Sequence, residues 1–243
     1  MTPRFFVPEL APEGMGGSFD LPESVAHHAA RVVRLAAGDA LTLFTGRGGE
    51  YAAVVARVDK RGVSVRIDAF DPVERESPLA VVLAQAIAAN DAMDYSIRKA
   101  TEVGVASIQP LLTMRSAPLP SGDRGEKRHE HWRQVAIAAC EQCGRNRIPA
   151  IHAAKPLSEW LDAWRGDAIV LVPGAPRELG SLPLPASPFA LMIGPEGGWD
   201  KGEVGAIESA GVAAVHLGPR VLRTETAAVA ALAAIQTLWG DFR

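Results

Sequence analysis

The sequence has little cysteine, no long hydrophobic run and no marked excess of charge of one sign. Its 243 residues include two cysteines, Cys140 and Cys143, too few for the disulfide framework of a small secreted domain. A chain of this length buries roughly 70–75% of its unfolded surface, so it needs neither bridge nor metal to fold. The longest apolar run near the C-terminus, residues 227–235, falls well short of the roughly 20 residues that span a bilayer. The opening Met1-Thr-Pro-Arg-Phe-Phe-Val-Pro has neither a long apolar stretch nor a small-residue cleavage site, which argues against a signal peptide. A cytoplasmic protein without a membrane partner is expected. Lysine and arginine number 25 against 28 acidic residues, a net charge of −3 with no polycationic segment. That excludes a general nucleic-acid coat and leaves room for a local basic face suited to a small structured RNA. A hydrophobic fraction of 48% and a charged fraction of 22% exclude collagen-like, disordered and coiled-coil chains.

Two textures meet near residue 75. Before it, short β-rich segments at residues 4–7, 40–45, 51–58 and 63–67 are separated by Gly46-Arg-Gly-Gly49 and Asp59-Lys-Arg-Gly62. Glycine there supplies the positive φ that tight turns need. One helix is expected over residues 23–35, opened by Pro22 and Ser24. After Asp71-Pro-Val-Glu-Arg-Glu-Ser-Pro78, buried-strand runs at residues 79–83, 108–112, 168–172, 189–193 and 213–217 alternate with helical stretches. The helices are expected near residues 93–103, 129–143, 157–164, 201–210 and 225–239; from Trp132 to Cys143 the apolar positions follow the 3.6-residue period. Alternation of this kind implies a parallel sheet covered on both faces. Residues 1–72 therefore read as a small β-barrel or open sheet and residues 73–243 as a larger α/β domain. The stretch 173–188, with five prolines, reads as a loop.

Two segments carry the chemistry. Ile193-Gly-Pro-Glu-Gly-Gly-Trp199 follows an apolar strand and precedes a helix starting near Asp200, and open α/β sheets bind ligands outside the carboxyl ends of their strands. It has neither the Gly-Lys-Ser/Thr of a phosphate-binding loop nor the dinucleotide Gly-x-Gly-x-x-Gly spacing, and Gly-Gly alone would suit a plain strand–helix turn. Leu217-Gly-Pro-Arg-Val-Leu-Arg-Thr-Glu-Thr226 follows the next strand. Thr224 is placed to cap the last helix, with Glu225 in its first turn. A helix start does not explain Arg220 and Arg223, because cations there oppose the helix dipole; they point to a polar or anionic ligand.

Glu141-Gln-Cys-Gly-Arg-Asn-Arg147 closes an amphipathic helix, where Gly144 suits the first position past the end and the arginines suit the dipole. Cys140 and Cys143 sit at the C-terminal end of that helix, whereas reactive pairs occupy N-termini; two buried, inert cysteines are expected, and two ligands make no zinc site. His27-His28, followed by Arg31 and Arg34, lacks metal-ligand spacing and reads as a solvated or RNA-facing polar stripe. No Gly-x-Ser-x-Gly elbow is present, so a serine-hydrolase reading lacks its nucleophile.

Taken together and in order, these segments resemble the RsmE family of SPOUT-class methyltransferases, which transfer a methyl group from S-adenosylmethionine to N3 of one uridine in 16S ribosomal RNA. The match runs through Arg4-Phe-Phe, His27-His28-x-x-Arg31-Val-Val-Arg34, Gly38-Asp39 leading to Leu43-Phe44, Met93-Asp94, and Lys99-Ala-Thr-Glu-Val-Gly104. It continues in Glu141-Gln-Cys-Gly-Arg145, Ile193-Gly-Pro-Glu-Gly-Gly198 and Leu217-Gly-x-Arg-Val-Leu-Arg-Thr-Glu-Thr-Ala227. The last two motifs are the specific ones. Two departures stand out: Ala89-Asn-Asp-Ala92 replaces a Lys-Gly-Asp-Lys/Arg-like stretch and loses basic charge, and Cys143 stands where serine is common.

The resemblance implies a PUA-like RNA-binding β-barrel over residues 1–72 and, over residues 73–243, a SPOUT α/β domain with a C-terminal trefoil knot. It also implies a homodimer sharing its active sites and a small-ribosomal-subunit partner. The cofactor cleft would comprise Leu171, Val172 and Pro173; Ile193, Gly194, Pro195, Glu196, Gly197 and Gly198; and Leu217, Gly218, Val221, Leu222, Arg223 and Thr224. Charge developing on the uracil oxygens would be met by Arg145, Arg223 or both; arginine, with a pKa above about 12, is a poor base, so Glu225 or Glu141 would accept the proton. Arg4, His28, Arg31 and Arg34 would face RNA. The competing readings are a non-catalytic RNA-binding assembly factor of the same fold and a relative that methylates ribose 2′-hydroxyls.

Overall fold

The computed structural model describes residues 2–10, 16–186 and 188–242. The chain forms two compact units, Met1–Glu76 with Cys140–Ile148, and Ser77–Ala139 with Pro149–Arg243.

The first unit is built on strands Arg4–Phe6 (β1), Ser18–Asp20 (β2), Ala40–Phe44 (β3), Glu50–Asp59 (β4) and Gly62–Asp71 (β5), in the order β1-β3-β4-β5-β2. β1 runs parallel to β3 and the remaining pairs are antiparallel. Alternation turns Leu41, Leu43, Val55, Val63, Val65 and Ile67 into one core with Phe5 and Val7. Gly62, at φ 133°, and the Arg61 N–H on Asp59 Oδ1 at 2.7 Å make the β4–β5 turn. Register shifts at Ala52/Ala53 and Val55/Arg57 bend the long hairpin as β-bulges do.

The single helix expected over residues 23–35 is two pieces: Glu23–His27 (α1), then a π-helical turn at His28–Val32. Val33 N–H reaches back to His28 O at 3.0 Å, Leu35 N–H to Ala29 O at 2.9 Å, and Arg34 takes φ 63°. The widened turn lets the chain leave the helix through a conformation that non-glycine residues seldom adopt. Pro22 is the N-cap and no side chain caps this start, so Ser24 does not act as the start signal.

Cys140–Ile148 belongs with the N-terminal strands, an association that sequence distance hides. Asn146 is fully buried; its Nδ2 donates to Val73 O at 2.9 Å and its Oδ1 accepts from Arg4 at 2.6 Å. Glu141 accepts from Phe6 N–H at 2.9 Å, and Arg47 and Arg147 form an isolated β-bridge.

The second unit is an all-parallel sheet. Its strands are Val81–Ala86 (β6), Ser107–Leu112 (β7), Ala150–Ile151 (β8), Lys155–Pro156 (β9), Asp167–Leu171 (β10), Arg177–Glu178 (β11), Phe189–Ile193 (β12) and Ala213–His216 (β13). The order is β11-β13-β10-β12-β6-β7-β8, with β9 also on β7. Helices Asn90–Glu102 (α2), Asp123–Cys143 (α3), Leu157–Ala163 (α4), Lys201–Ser209 (α5) and Thr224–Trp239 (α6) connect and cover it. Every residue of β12 is buried. Ala190 and Met192 pack with Leu157 and Trp160 of α4 and Ile207 of α5, while Phe189 meets Trp239 of α6 edge-on at 6.2 Å. Successive β12 side chains thus serve opposite helical layers, as a doubly covered parallel sheet requires.

The proline-rich stretch 173–188 is not wholly a loop: β11 pairs with β13 inside it, and a 3-10 turn follows at Leu179–Ser181. Prolines flank that strand without interrupting it, which is where a sheet edge tolerates them.

Candidate functional site

Within the second unit, a cavity of about 880 Å³ opens beyond the carboxyl ends of β6, β10, β12 and β13. That is the crevice position expected of an open parallel sheet, and its volume is within the roughly 300–1,000 Å³ of small-molecule sites. Its walls come from the strand-end loops: Leu171 to Pro173 after β10, Ile193 to Trp199 after β12, Leu217 to Arg223 after β13, and the first turns of α2 after β6.

The β12 loop is held from both sides. Gly198 N–H closes a turn on Pro195 O at 2.8 Å, with Gly198 at φ 69°. Glu196 Oε1 accepts from Ala89 N–H, the N-cap of α2, at 2.8 Å, so this carboxylate ties two cavity walls together. Gly197 O accepts from Arg115 at 2.8 Å, and Arg115 also pairs with Asp200 at 3.6 Å. Asp200 caps α5 in a reciprocal box with Glu203, which ends the loop as a clean helix start.

Thr224 does not cap α6. The N-cap is Arg223, whose side chain makes no capping bond, and Thr224 is the first helical residue. Its buried hydroxyl instead donates to Gly194 O at 2.6 Å and accepts from Gln85 Nε2 at 3.0 Å. The Gly194 carbonyl draws the hydroxyl away from the helix, so the residue fastens the β12 loop.

Of the residues expected around a ligand, Leu171, Val172, Pro173, Ile193, Gly194, Pro195, Glu196 and Gly198 line the cavity. So do Leu217, Gly218, Val221, Leu222, Arg223 and Thr224. Gly197 stands off the wall, against the Arg115 side chain, which a Cβ there would meet at 3.2 Å. Glu225 also lines the cavity, half-buried in the first turn of α6, and Arg223 is exposed at its edge. Reading from sequence missed Ala89, Asp91, Ala92, Tyr95, Trp199 and Val204. The strand-end rule, applied to β6 as it was to β12 and β13, would have pointed to the first four.

The cavity's chemistry is mixed. Leucine, valine, proline and aromatic side chains make an apolar wall, Asp91, Glu196 and Glu225 bring carboxylates, and Arg220 and Arg223 bring cations. At Gly198 and Gly218, both with positive φ, a Cβ would meet no protein atom within 4 Å, so main chain rather than side chain borders the open space. An apolar wall beside backbone-lined glycine loops fits a nucleoside-sized ligand with a polar, charged tail.

The remaining candidates belong to the first unit. Arg145 is buried and engages Glu76 through Nε at 3.1 Å and through a second, shorter bond from Nη2. Burial alone would lower its pKa, but the bond to Glu76 outweighs this and raises it. Glu141 is pushed up by burial, against the opposing pull of the Phe6 N–H and of His28 and Arg4. The Arg4 side chain is 8% exposed, donates to Glu50 at 2.6 Å and lies over the Phe44 ring; it acts as a strut. His28, Arg31 and Arg34 are exposed, His28 edge-on to Phe5 at 5.6 Å.

Cys140 is buried and its thiol is pushed up to about 12, chiefly by burial. Cys143, expected to be buried too, is only half-buried because α3 ends on it, before Gly144 at φ 88°. Among the described residues no helix is long and apolar enough to cross a membrane, and no group of three or more histidine, cysteine or acidic residues is arranged to hold a metal ion.

Comparison with known proteins extends this picture. Residues 75–236 match the RNA methyltransferase domain family and residues 21–68 the RNA methyltransferase PUA domain. A ribosomal RNA small subunit methyltransferase E of Buchnera aphidicola is 32% identical over 223 residues, covering 91% of each chain. The protein of the same name from Mycobacterium tuberculosis is 32% identical over 241 residues, covering 96% of this chain and 91% of that one. Among solved structures, a ribosomal RNA small subunit methyltransferase E from Neisseria gonorrhoeae, bound to S-adenosyl methionine, superposes with a TM-score of 0.92 at 37% identity over the whole of both chains. A Legionella pneumophila protein in complex with the bound cofactor SAM gives 0.95, also at 37% identity and full coverage of both chains.

Proposed function

The chain belongs to the RsmE family of small-subunit ribosomal RNA methyltransferases, and from that premise we propose that it methylates N3 of a single uridine in 16S ribosomal RNA. The observation that carries the reading is the cavity beyond four parallel strands, bordered by the two glycine-containing loops that bear the family's specific motifs.

When bound, S-adenosylmethionine supplies a methyl group activated on a sulfonium. Leu171 to Pro173 and the main chain at Gly194, Gly198 and Gly218 are the proposed holders of its nucleoside and tail, with Val221, Leu222 and Thr224 closing the far wall. Transfer forms a carbon–nitrogen bond at N3, breaks the carbon–sulfur bond and releases the N3 proton. The protein's task is therefore alignment, exclusion of water and disposal of that proton. Alignment of reactants is worth roughly 7–11 kcal/mol in favourable cases. Arg223, at the cavity edge, would stabilise the negative charge that spreads onto the uracil oxygens, and Arg145 is a second proposed stabiliser. Glu225, on the cavity wall, is the proposed proton acceptor, with Glu141 the alternative.

Residues 1–72 are proposed as the PUA-like RNA-binding module, with His28, Arg31 and Arg34 as its contacts and Arg4 bracing the strands beneath. Residues 73–243 are proposed as the SPOUT methyltransferase domain. A trefoil knot at its C-terminal end, a homodimeric assembly and a cytoplasmic site of action complete the proposal.

The test is calorimetric titration with S-adenosylmethionine, followed by mass spectrometry of digested small-subunit RNA after reaction. Saturable binding and a single methyl on uracil N3 are expected. Binding without transfer would favour an assembly factor, and a methyl on ribose would favour 2′-O chemistry.

A further inference from the structure

We propose that the first half of α3 is a docking surface for the phosphate backbone of the RNA substrate, built from Arg124, Lys127, Arg128 and His131 beside the α2 wall of the cavity. The inference rests on the reading of this chain as an RNA methyltransferase. The four residues are spaced i, i+3, i+4 and i+7, which puts them on one face of a helix. On the same stretch Trp132 and Ala136 turn into the core. Glu126 and Glu130 fall on the other exposed side, Glu130 accepting from Gln134 at 2.6 Å. Over residues 124–131 the exposed surface of α3 is thus sorted into a basic and an acidic face. Arg124 and Lys127 lie in the first turns of the helix, where the dipole disfavours cations. Helix stability does not account for their position.

The basic face is turned toward the first turns of α2, which also form one wall of the cavity. Arg128 donates to Asn90 Oδ1 and lies over the Trp132 ring, 5.9 Å from its centroid. His131 Nε2 bonds Asp94 Oδ2 at 2.7 Å. Asn90 sits in the first turn of α2 between Ala89 and Asp91, both of which line the cavity, and Tyr95 follows one turn later. That wall, Ala89, Asp91, Ala92 and Tyr95, holds no cation. A phosphate chain crossing it to bring a base into the cavity meets its positive partners on α3. Arg128 is half-buried and fixed by its bond to Asn90 and its place over Trp132, so it presents a placed donor. Arg124 and Lys127 are exposed and follow the strand. Tyr95, 42% exposed, offers an aromatic face on which a neighbouring base stacks.

The test uses the full-length protein with S-adenosylhomocysteine and an unmodified 16S ribosomal RNA transcript, with binding followed over a range of salt concentrations. The double variant Arg124→Gln/Lys127→Gln removes two exposed charges without touching the core. The slope of log affinity against log salt should fall by about 0.7 for each phosphate left without its cation, and affinity near physiological salt should drop roughly tenfold. Arg133→Gln, which removes a cation from the other side of α3, should leave the slope unchanged, and calorimetry should show the cofactor affinity of every variant unaltered. An unchanged slope in the double variant, or an equal fall in Arg133→Gln, overturns the docking surface even if the wild-type enzyme methylates RNA. A reduced slope in a protein that transfers no methyl group sustains the surface and removes the catalytic reading. A wild-type protein that binds no RNA overturns both.

Discussion

Gln85 Nε2 donates to Thr224 Oγ1 at 3.0 Å, and the same hydroxyl donates to the Gly194 carbonyl at 2.6 Å. Both side chains are buried, and the relay joins the end of β6, the start of α6 and the first residue after β12. A polar side chain at a buried strand position costs free energy unless its groups are bonded. Thr224→Val keeps the shape and leaves the Gly194 carbonyl and the Gln85 amide without this partner. A stability loss of about 1–3 kcal/mol is expected in denaturant titration, with weaker cofactor binding by calorimetry. Thr224→Ser, which keeps the hydroxyl, should restore most of both; full cofactor affinity in Thr224→Val would show that the relay does not shape the site.

The charge network of the first unit makes its stability sensitive to acid. Burial alone would raise the Glu50 carboxyl, but the bonds from Arg75 and Arg4 outweigh it and bring it from an ordinary 4.5 down to about 2. A carboxylate depressed on folding contributes stability that is fully present above its unfolded value and is lost as pH falls through its folded value. The window here runs from about pH 4.5 to pH 2, and because the Arg75 side chain is 42% exposed and solvent screens its pair with Glu50, the contribution near neutrality is about 1–2 kcal/mol. Glu50→Gln should lower stability at pH 7 by about that amount and flatten the decline between pH 4.5 and 2, read from unfolding curves at stepped pH. An equally steep acid decline in the variant would assign the sensitivity to other groups.

How much of this was legible in the sequence depended on whether the signal was local. The run Phe189–Ile193 reads as a buried parallel strand because five apolar residues between turn signals have few other uses, and the structure agrees residue for residue. The glycine loops after β12 and β13 were legible for the same reason. Thr224 was misread because its nearest partner in sequence is its own helix, while its partner in space is Gly194, 30 residues away. The turn at His28–Val32 was misread because a π-helical turn carries the same apolar spacing as an α-helix over so short a span. Cys140–Ile148 joins the N-terminal strands through Asn146, Arg4 and Glu141, pairings that no local pattern announces.

The two cysteines should differ in reactivity. Burial pushes the Cys140 thiol up to about 12, with Cys143 and Glu76 adding to it against Arg145 and Arg4. The thiolate is the nucleophile, so Cys140 should resist iodoacetamide in the native protein while half-buried Cys143 reacts slowly. Peptide mass spectrometry after timed alkylation distinguishes them. Rapid labelling of Cys140 under native conditions would mean that the end of α3 opens readily.

Gly218 tests the cavity from the backbone side. At φ 70° with open space where a Cβ would sit, Gly218→Ala meets no protein atom but forces a side chain into a left-handed conformation, at about 1–3 kcal/mol. The new methyl group also points into the space in front of the loop. Cofactor affinity should fall while the unit stays folded, as calorimetry and thermal unfolding would show together. Unchanged affinity would place the ligand away from the β13 loop.

Arg223 and Arg145 are both candidates to stabilise charge on the substrate, and their surroundings make the two substitutions different experiments. Arg223 is exposed at the cavity edge, so Arg223→Ala should leave stability near wild type and lower kcat by about 100-fold, with cofactor affinity almost unchanged. Arg145 is 4% exposed and bonded to Glu76, so Arg145→Ala leaves a carboxylate without its partner and should cost about 3 kcal/mol whatever its catalytic role. Loss of transfer in that variant alone therefore decides nothing. The double variant Arg145→Ala/Glu76→Gln removes both charges and should recover most of the stability. If its transfer rate stays as low as that of Arg145→Ala, the guanidinium serves the chemistry; if transfer returns with stability, Arg145 serves only to hold Glu76.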